Sequence, residues 1–185
     1  MLVTDDAELA RRARLLRSHG QTKTAIDRVR GAVRYDIAEI GFNYRMDDIR
    51  ASIGLAQMDK LEGFADARQR LVKRYRQQLQ NIPGVAFPTH GDRGKPANYL
   101  LPVLLAQRFD RDQVQQRLND RGIQTSMHYP PVHLFSHYLK FGGANLPKTE
   151  RVAQSCLTLP LYPSMPLSDV DRVCDSLAAV LDETH

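Results

Sequence analysis

Gly41-Phe42-Asn43-Tyr44-Arg45-Met46-Asp47-Asp48-Ile49-Arg50-Ala51-Ser52-Ile53-Gly54-Leu55-Ala56-Gln57 is the stretch around which the rest of this chain organises itself. A glycine leads into a short segment that holds an amide, a phenol and a guanidinium at three consecutive positions. Asp47 or Asp48 then supplies an N-cap, and the apolar residues that follow recur at helical spacing. The start of a helix carries orphan backbone N–H groups and the positive end of its dipole, which together favour an anion. Asn43 can donate through its amide, and Arg45 offers a planar fork suited to a phosphate or a carboxylate. Taken by composition alone, the same residues also read as a polar loop ahead of a capped helix.

Toward the N-terminus, Leu2-Val3 reads as the end of a strand. Asp5 with Glu8 forms a capping-box pattern. Leu9, Ala13 and Leu16 then share one helical face, with arginines opposite. Ser18-His19-Gly20 stops this helix, the glycine providing a left-handed cap. Residues 21–42 are polar and irregular, and a long loop of this kind is often functional.

Toward the C-terminus, the pattern predicts one helix from Asp47 or Asp48 to about Gln80. Its first half is apolar on two faces (Ile49, Ile53 and Ala56; Ala51, Leu55 and Met58) and is expected to be buried on both. Its second half carries a single stripe: Leu61, Phe64, Leu71, Tyr75 and Leu79. Pro83-Gly84 closes the segment. Strands are predicted at Val85–Phe87, at Tyr99–Leu105 with Pro102 hinting at an edge or bulge, at Ile123–His128, and at Leu157–Leu161 broken by Pro160. Helices are predicted after Asp110 and Gln113 up to Gly122, after Thr149 through Cys156, and after Ser168 and Asp171, the last with Val170, Val173, Leu177 and Leu181 on one side. The pattern is α/β.

Composition bounds the rest. The chain has 185 residues with 42% hydrophobic content, enough for one domain or one and a half. No apolar run approaches the ~20 residues needed to span a membrane. Cys156 and Cys174 have no metal or redox spacing, and both fall at apolar positions of predicted helices. Buried free thiols in a reducing cytoplasm are the reading adopted. The formal charge is +5, with Arg11, Arg12, Arg14 and Arg17 in one segment and Arg68, Arg70, Lys73, Arg74 and Arg76 in another. A nucleic-acid footprint is one reading of these clusters. Solvated helix faces are the favoured one, because the arginines interleave with apolar positions and no nucleic-acid motif accompanies them.

A second polar constellation is Thr125-Ser126-Met127-His128-Tyr129-Pro130-Pro131-Val132-His133. Two prolines stiffen a loop that leaves a predicted strand, so its side chains have fixed directions. His133 and His137 are four apart, a spacing that would put two metal ligands on one helix face, but no third ligand is nearby and no metal is assigned.

Taken in order, these segments resemble the DegT/DnrJ/StrS-type sugar aminotransferases, which use pyridoxal phosphate (PLP). The resemblance rests on the Gly41–Gln57 stretch, His19-Gly20, the His128-Tyr129-x-Pro-x-His133 segment, Leu146-Pro147-Lys148-Thr149-Glu150 and Leu159-Pro160-Leu161-Tyr162-Pro163-Ser164-Met165. It covers the chain from Met1 to about Leu181. It implies the end of an aspartate-aminotransferase-like large PLP-binding domain over residues 1–60, and a small C-terminal α/β domain over 61–185. It implies Asn43 and Arg45 as cofactor-binding residues that reach across a homodimer interface, and His19, His128, Tyr129 and His133 as substrate-side residues. The complete enzyme would move an amino group from glutamate to a nucleotide-linked keto sugar. The alternative is a non-catalytic remnant, or a subunit that pairs with a related chain. Neither nucleic acid nor membrane is an expected partner.

PLP chemistry needs a lysine to hold the cofactor covalently and shuttle the proton. The family sets that lysine upstream of Met1, and none of Lys23, Lys60, Lys73, Lys95, Lys140 and Lys148 occupies its motif. No catalytic residue is therefore assigned here. This chain by itself is expected to show no transamination, and PLP added to it is expected not to become fixed by borohydride. A stoichiometric adduct on one defined lysine, read by mass spectrometry, would overturn that expectation.

Overall fold

The structure, a computed structural model, describes residues 2–23, 25–31, 34–88 and 96–184. Lys95 lies outside them. The chain divides into two compact units, residues 1–59 and 60–185.

The first unit holds α1 (Ala7–Arg17), the short α2 (Ala25–Val29) and α3 (Asp48–Met58). Asp6, one residue later than expected, caps α1: its Oδ1 accepts from the N–H groups of Glu8 and Leu9 at 2.8 and 3.0 Å. Glu8 does not complete a capping box, because both of its carboxylate oxygens are taken by Arg11. Asp47 caps α3, as the sequence indicates. Neither α1 nor α3 buries a residue. Ile49, Ile53, Leu55 and Met58 are 59–75% exposed, against the expectation of burial on both faces.

The predicted single helix from Asp47 to Gln80 is two helices. It ends at Met58 and resumes as α4 (Leu61–Leu79). Asp59 (φ −60°, ψ −25°) and Lys60 (φ −95°, ψ −11°) both remain in the right-handed region. Only the hydrogen-bond pattern lapses, so no helix-breaking residue was there to be read.

The second unit is a three-stranded antiparallel sheet, β1 (Val85–Ala86), β2 (Leu101–Leu105) and β3 (Cys156–Leu159) in that order, packed on helices. Its other helices are α5 (Arg111–Asp120), the four-residue α6 (Ser136–Leu139), α7 (Pro147–Ser155) and α8 (Leu167–Asp182), with a 3-10 turn at Val132–Leu134. Alternation along β2 sends Leu101, Val103 and Leu105 inward. There they meet Leu71, Tyr75 and Leu79 of α4, Val114 and Leu118 of α5, and the Val170, Val173, Leu177 and Leu181 stripe of α8. Pro102 sits in the middle strand, not on an edge. It is tolerated because β1 pairs only with Leu104 and Leu105, so the half of β2 that carries the proline has a partner on one side alone.

Ile123–His128 forms no strand. Only Ser126 pairs with Thr158 as an isolated bridge. Pro160 has no N–H to extend that ladder one way, and the Cys156 N–H is spent on the Val152 carbonyl at the end of α7 the other way. Helix α7 starts at Pro147 with Leu146 as its N-cap, so Thr149 lies inside it. Ser168 likewise lies inside α8, which follows Pro166. Asp171 is not a cap: Arg74 grips it with two bonds of 2.8 and 3.0 Å, and Gln78 donates to it as well. The Arg74 guanidinium holds the Asp171 carboxyl below its ordinary range.

Cys174 lies on α8, but Cys156 opens β3 instead of ending a helix, and both are buried free thiols. Burial pushes the Cys174 thiol up to about 12, so it stays protonated. Much of the basic charge is locally matched. Arg11 pairs with Glu8, Arg12 with Glu39 and Arg74 with Asp171, while Arg76 lies over the Phe87 ring.

Tyr75 ties the two layers together. It is fully buried, and its hydroxyl donates to the Pro160 carbonyl at 2.9 Å. Tyr75→Phe removes that donor and leaves a carbonyl without its partner, a loss of about 1–2 kcal/mol. Tyr75→Ala adds a cavity and is expected to cost about 3–5 kcal/mol. Urea unfolding of the two variants should separate these effects. Equal midpoints for wild type and Tyr75→Phe would show that the hydrogen bond contributes nothing.

Candidate functional site

The sequence-predicted site residues form separate groups, His19, Asn43 and Arg45 in the first unit and His128, Tyr129 and His133 in the second.

In the first unit the site is built on the end of α1. A helix leaves its last carbonyls without partners. Here the loop ahead of α3 returns to satisfy them: the Phe42 N–H donates to Leu16 at 2.7 Å and the Tyr44 N–H to Arg17 at 2.9 Å. The His19 N–H donates back to Phe42 at 2.9 Å, and Ser18 and Asn43 form a bridge. Two glycines permit this approach. A Cβ on Gly41 would lie 2.3 Å from the Gly20 nitrogen, and one on Gly20 (φ +72°) would lie 1.7 Å from the Glu39 carbonyl oxygen.

Arg45 then joins the three predicted residues. Its Nε donates to Asn43 Oδ1 at 3.3 Å, and its Nη2 lies 3.1 Å from His19 Nε2. A guanidinium only donates, so the Asn43 atom facing it is the oxygen, and both amide hydrogens of Asn43 remain to serve another acceptor. His19 Nε2 must by the same reasoning offer a lone pair. Phe42 and Tyr44 stack at 5.0 Å beside them. The donor set, an amide with spare hydrogens and a guanidinium, fits a phosphate such as that of PLP.

In the second unit His128 is held against the outer face of the sheet. Its Nδ1 lies 3.1 Å from Thr158 Oγ1 and 3.3 Å from Ser126 Oγ. Tyr129, two-thirds exposed, meets the His128 ring edge-on at 4.8 Å. A cavity of about 530 Å³ opens beside His128, lined also by Thr125, Tyr162, Asp169 and Arg172. His133 is turned elsewhere, with Nε2 3.0 Å from Glu150 Oε1. That carboxylate also accepts the Leu146 N–H at 3.2 Å, so one residue of α7 fixes both ends of the intervening loop. His133 lies in the 3-10 turn and His137 in α6, so the two do not share one helix. Among the described residues no group of three His, Cys, Asp or Glu could hold a metal.

Ser126, Thr158 and Glu150 are the polar partners that sequence reasoning missed. Thr158 and Glu150 are 30 and 17 residues from the histidines they meet, and only the β3 register and the α7 start bring them there. Ser126 stands two residues from His128 within the same motif and could have been read as its neighbour.

The sequence profile of the DegT/DnrJ/EryC1/StrS aminotransferase family matches residues 1–178. The chain belongs to this aminotransferase family. It is 34% identical over 190 residues to the spore coat polysaccharide biosynthesis protein SpsC of Bacillus subtilis, covering 98% of this chain and 49% of that one. Among solved structures, the aminotransferase TlmJ of Streptoalloteichus hindustanus superposes with a TM-score of 0.84 at 33% identity, over 97% of this chain and 46% of that one. Spr1654 of Streptococcus pneumoniae, solved in its PLP-form, gives a TM-score of 0.85 at 26% identity, over 98% of this chain and 45% of that one. The chain thus spans about half the length of the family members it matches, and the fold it shares with them is the α/β fold of PLP aminotransferases.

The His133–Glu150 contact predicts a pH dependence. The hydrogen bond from His133, then that from the Leu146 N–H, holds the Glu150 carboxyl below its ordinary value of 4.5. A carboxyl depressed on folding stabilises above its unfolded pKa, and that contribution is lost as pH falls through the folded pKa. Replacing His133 by Ala should therefore raise the Glu150 titration midpoint, followed by carboxyl ¹³C shifts, and should flatten the acid-side loss of stability. An unmoved midpoint would mean that the pair is not formed in solution.

Proposed function

We propose that this chain supplies part of a PLP-dependent aminotransferase that acts on a nucleotide-linked keto sugar with glutamate as amino donor, in polysaccharide or amino-sugar synthesis. Family membership and the spore coat polysaccharide role that SpsC is named for support the reaction class. The observation that carries the reading is the Arg45-centred group: Arg45 takes up the Asn43 oxygen and leaves its amide hydrogens free to donate.

In this reading the first unit is the end of the large PLP-binding domain and the second is the small domain. Exposure of Ile49, Ile53, Leu55 and Met58 on α3 supports the first half of that assignment, because such a helix is shaped to be covered. Asn43 donates to the cofactor phosphate and Arg45 adds positive charge beside it, across the interface of a homodimer. His19, whose Nε2 faces Arg45, sits on the substrate side of the same group. Bound PLP supplies the electron sink through which an amino group changes carrier. His128, fixed by Thr158 and Ser126, presents its remaining ring nitrogen to the sugar substrate, with Tyr129 beside it. His133, the third substrate-side residue of this reading, is held by Glu150 and anchors the end of the segment that carries His128 and Tyr129.

The test is made on the full-length dimeric holoenzyme. Asn43→Ala removes a hydrogen bond to a charged group, worth about 1.5–3 kcal/mol, so PLP should dissociate roughly ten- to a hundredfold more readily. Asn43→Asp should weaken it further by setting a negative charge against the phosphate. Unchanged PLP retention in both variants, with unfolding midpoints equal to wild type, would refute the role of Asn43.

A further inference from the structure

Arg108, Arg111 and Arg151 line one cavity of about 530 Å³ at the start of α5 and the end of α7. Three guanidiniums on one cavity repel one another unless acceptors or an anion answer them. Two carboxylates, Asp110 and Asp112, line the same cavity and leave the three arginines in excess. Asp110 Oδ1 takes the backbone N–H groups of Asp112 and Gln113 at 2.9 and 3.2 Å. Asp112 Oδ1 stands 3.2 Å from Arg111 Nε, an ion-pair distance, yet the N–H is turned off that line and Nε makes no hydrogen bond. The Asp112 side chain is 76% exposed whereas that of Arg111 is only 14% exposed. The Asp112 carboxylate is thus on the water side of the cavity wall while Arg111 is nearly enclosed, with its Nε donor unsatisfied.

The other two arginines keep donors in reserve. Arg108 gives one N–H to the Pro83 carbonyl and lays its face on Phe109, which fixes its plane. Arg151 makes no side-chain hydrogen bond or ion pair among the described residues. Gln107 and Gln154 add amide groups to the same wall. The α5 macrodipole, positive at this end, acts in the same sense.

We propose that this cavity binds a phosphate dianion, free or as a sugar phosphate monoester. Guanidinium forks match phosphate oxygens, and a fork that is already oriented loses little freedom on binding. The volume exceeds what a lone phosphate fills and leaves space for a sugar. No cofactor or amino donor enters this proposal, so it stands or falls apart from the transaminase reading.

The probes are inorganic phosphate and glucose 1-phosphate, titrated calorimetrically into the full chain at low ionic strength with chloride as the control anion. Saturable binding of phosphate over chloride is expected. Arg151→Gln, at an exposed side chain that folding does not need, should weaken it at least tenfold, which corresponds to about 1.4 kcal/mol. Arg111→Gln should do the same. Asp112→Asn should tighten binding, because it removes the carboxylate that competes for Arg111, and a merely structural arginine cluster would not give that sign. Tighter binding of glucose 1-phosphate than of phosphate assigns the site to the monoester, and equal binding assigns it to free phosphate. Absence of saturable binding, or an affinity unchanged in Arg151→Gln, overturns the proposal.

Discussion

The register of β2 on β3 is the constraint on which the second unit depends. Leu101 faces Leu159 and Val103 faces Leu157, which sends these four side chains into the helical layer. The same register sets Pro102 opposite Thr158 and turns both to the other face. Thr158 is 4% exposed there, and a hydroxyl so buried needs a partner. It finds His128 Nδ1, and its backbone exchanges both hydrogen bonds with Ser126. A slip of one residue would send Thr158 into the core and carry leucines out to His128. The orientation of His128 is thus set by the packing of leucines on the opposite face.

Elements that declare themselves through local chemistry were legible in the sequence. Asp110 ahead of Gln113 gave the start of α5 and Gly122 its end, because caps act within one turn. The α8 stripe was legible because four apolar residues at helical spacing have one way to be buried together. What failed depended on groups far away or on donors already spent. Ile123–His128 has the composition of a strand, but Pro160 and the engaged Cys156 N–H stop its pairing after one residue. Asp5 and Asp6 are equivalent to a capping rule, and Arg11 decides between them by occupying Glu8. The break at Asp59–Lys60 has no signature at all, since both residues keep helical dihedrals.

The first unit is held by a different kind of force. It has no buried hydrophobic side chain among its described residues, and its order comes from backbone hydrogen bonds that close the end of α1. Such bonds contribute only about 0.5–1.5 kcal/mol each. A covered α3 face would contribute about 1.5–3 kcal/mol for each of Ile49, Ile53, Leu55 and Met58. The stronger of these two stabilising effects is thus the one not realised within this unit. The sequence of α3 is therefore better explained by a surface that covers it than by anything within residues 1–59.

The Asn43 segment shows how sequence and geometry divide the work. Its donor character was readable from residue types alone. Direction was not, because an amide presents an acceptor and donors with equal ease. Direction comes from Arg45 two residues later, which occupies the oxygen, and from His19, 26 residues before Arg45 in the chain, which meets the guanidinium at Nη2. Gly20 and Gly41 make that meeting possible by letting two stretches of backbone approach more closely than any side chain would allow. An amide engaged in this way has only donors left to offer, and a phosphate is the acceptor-rich group that the family's cofactor carries.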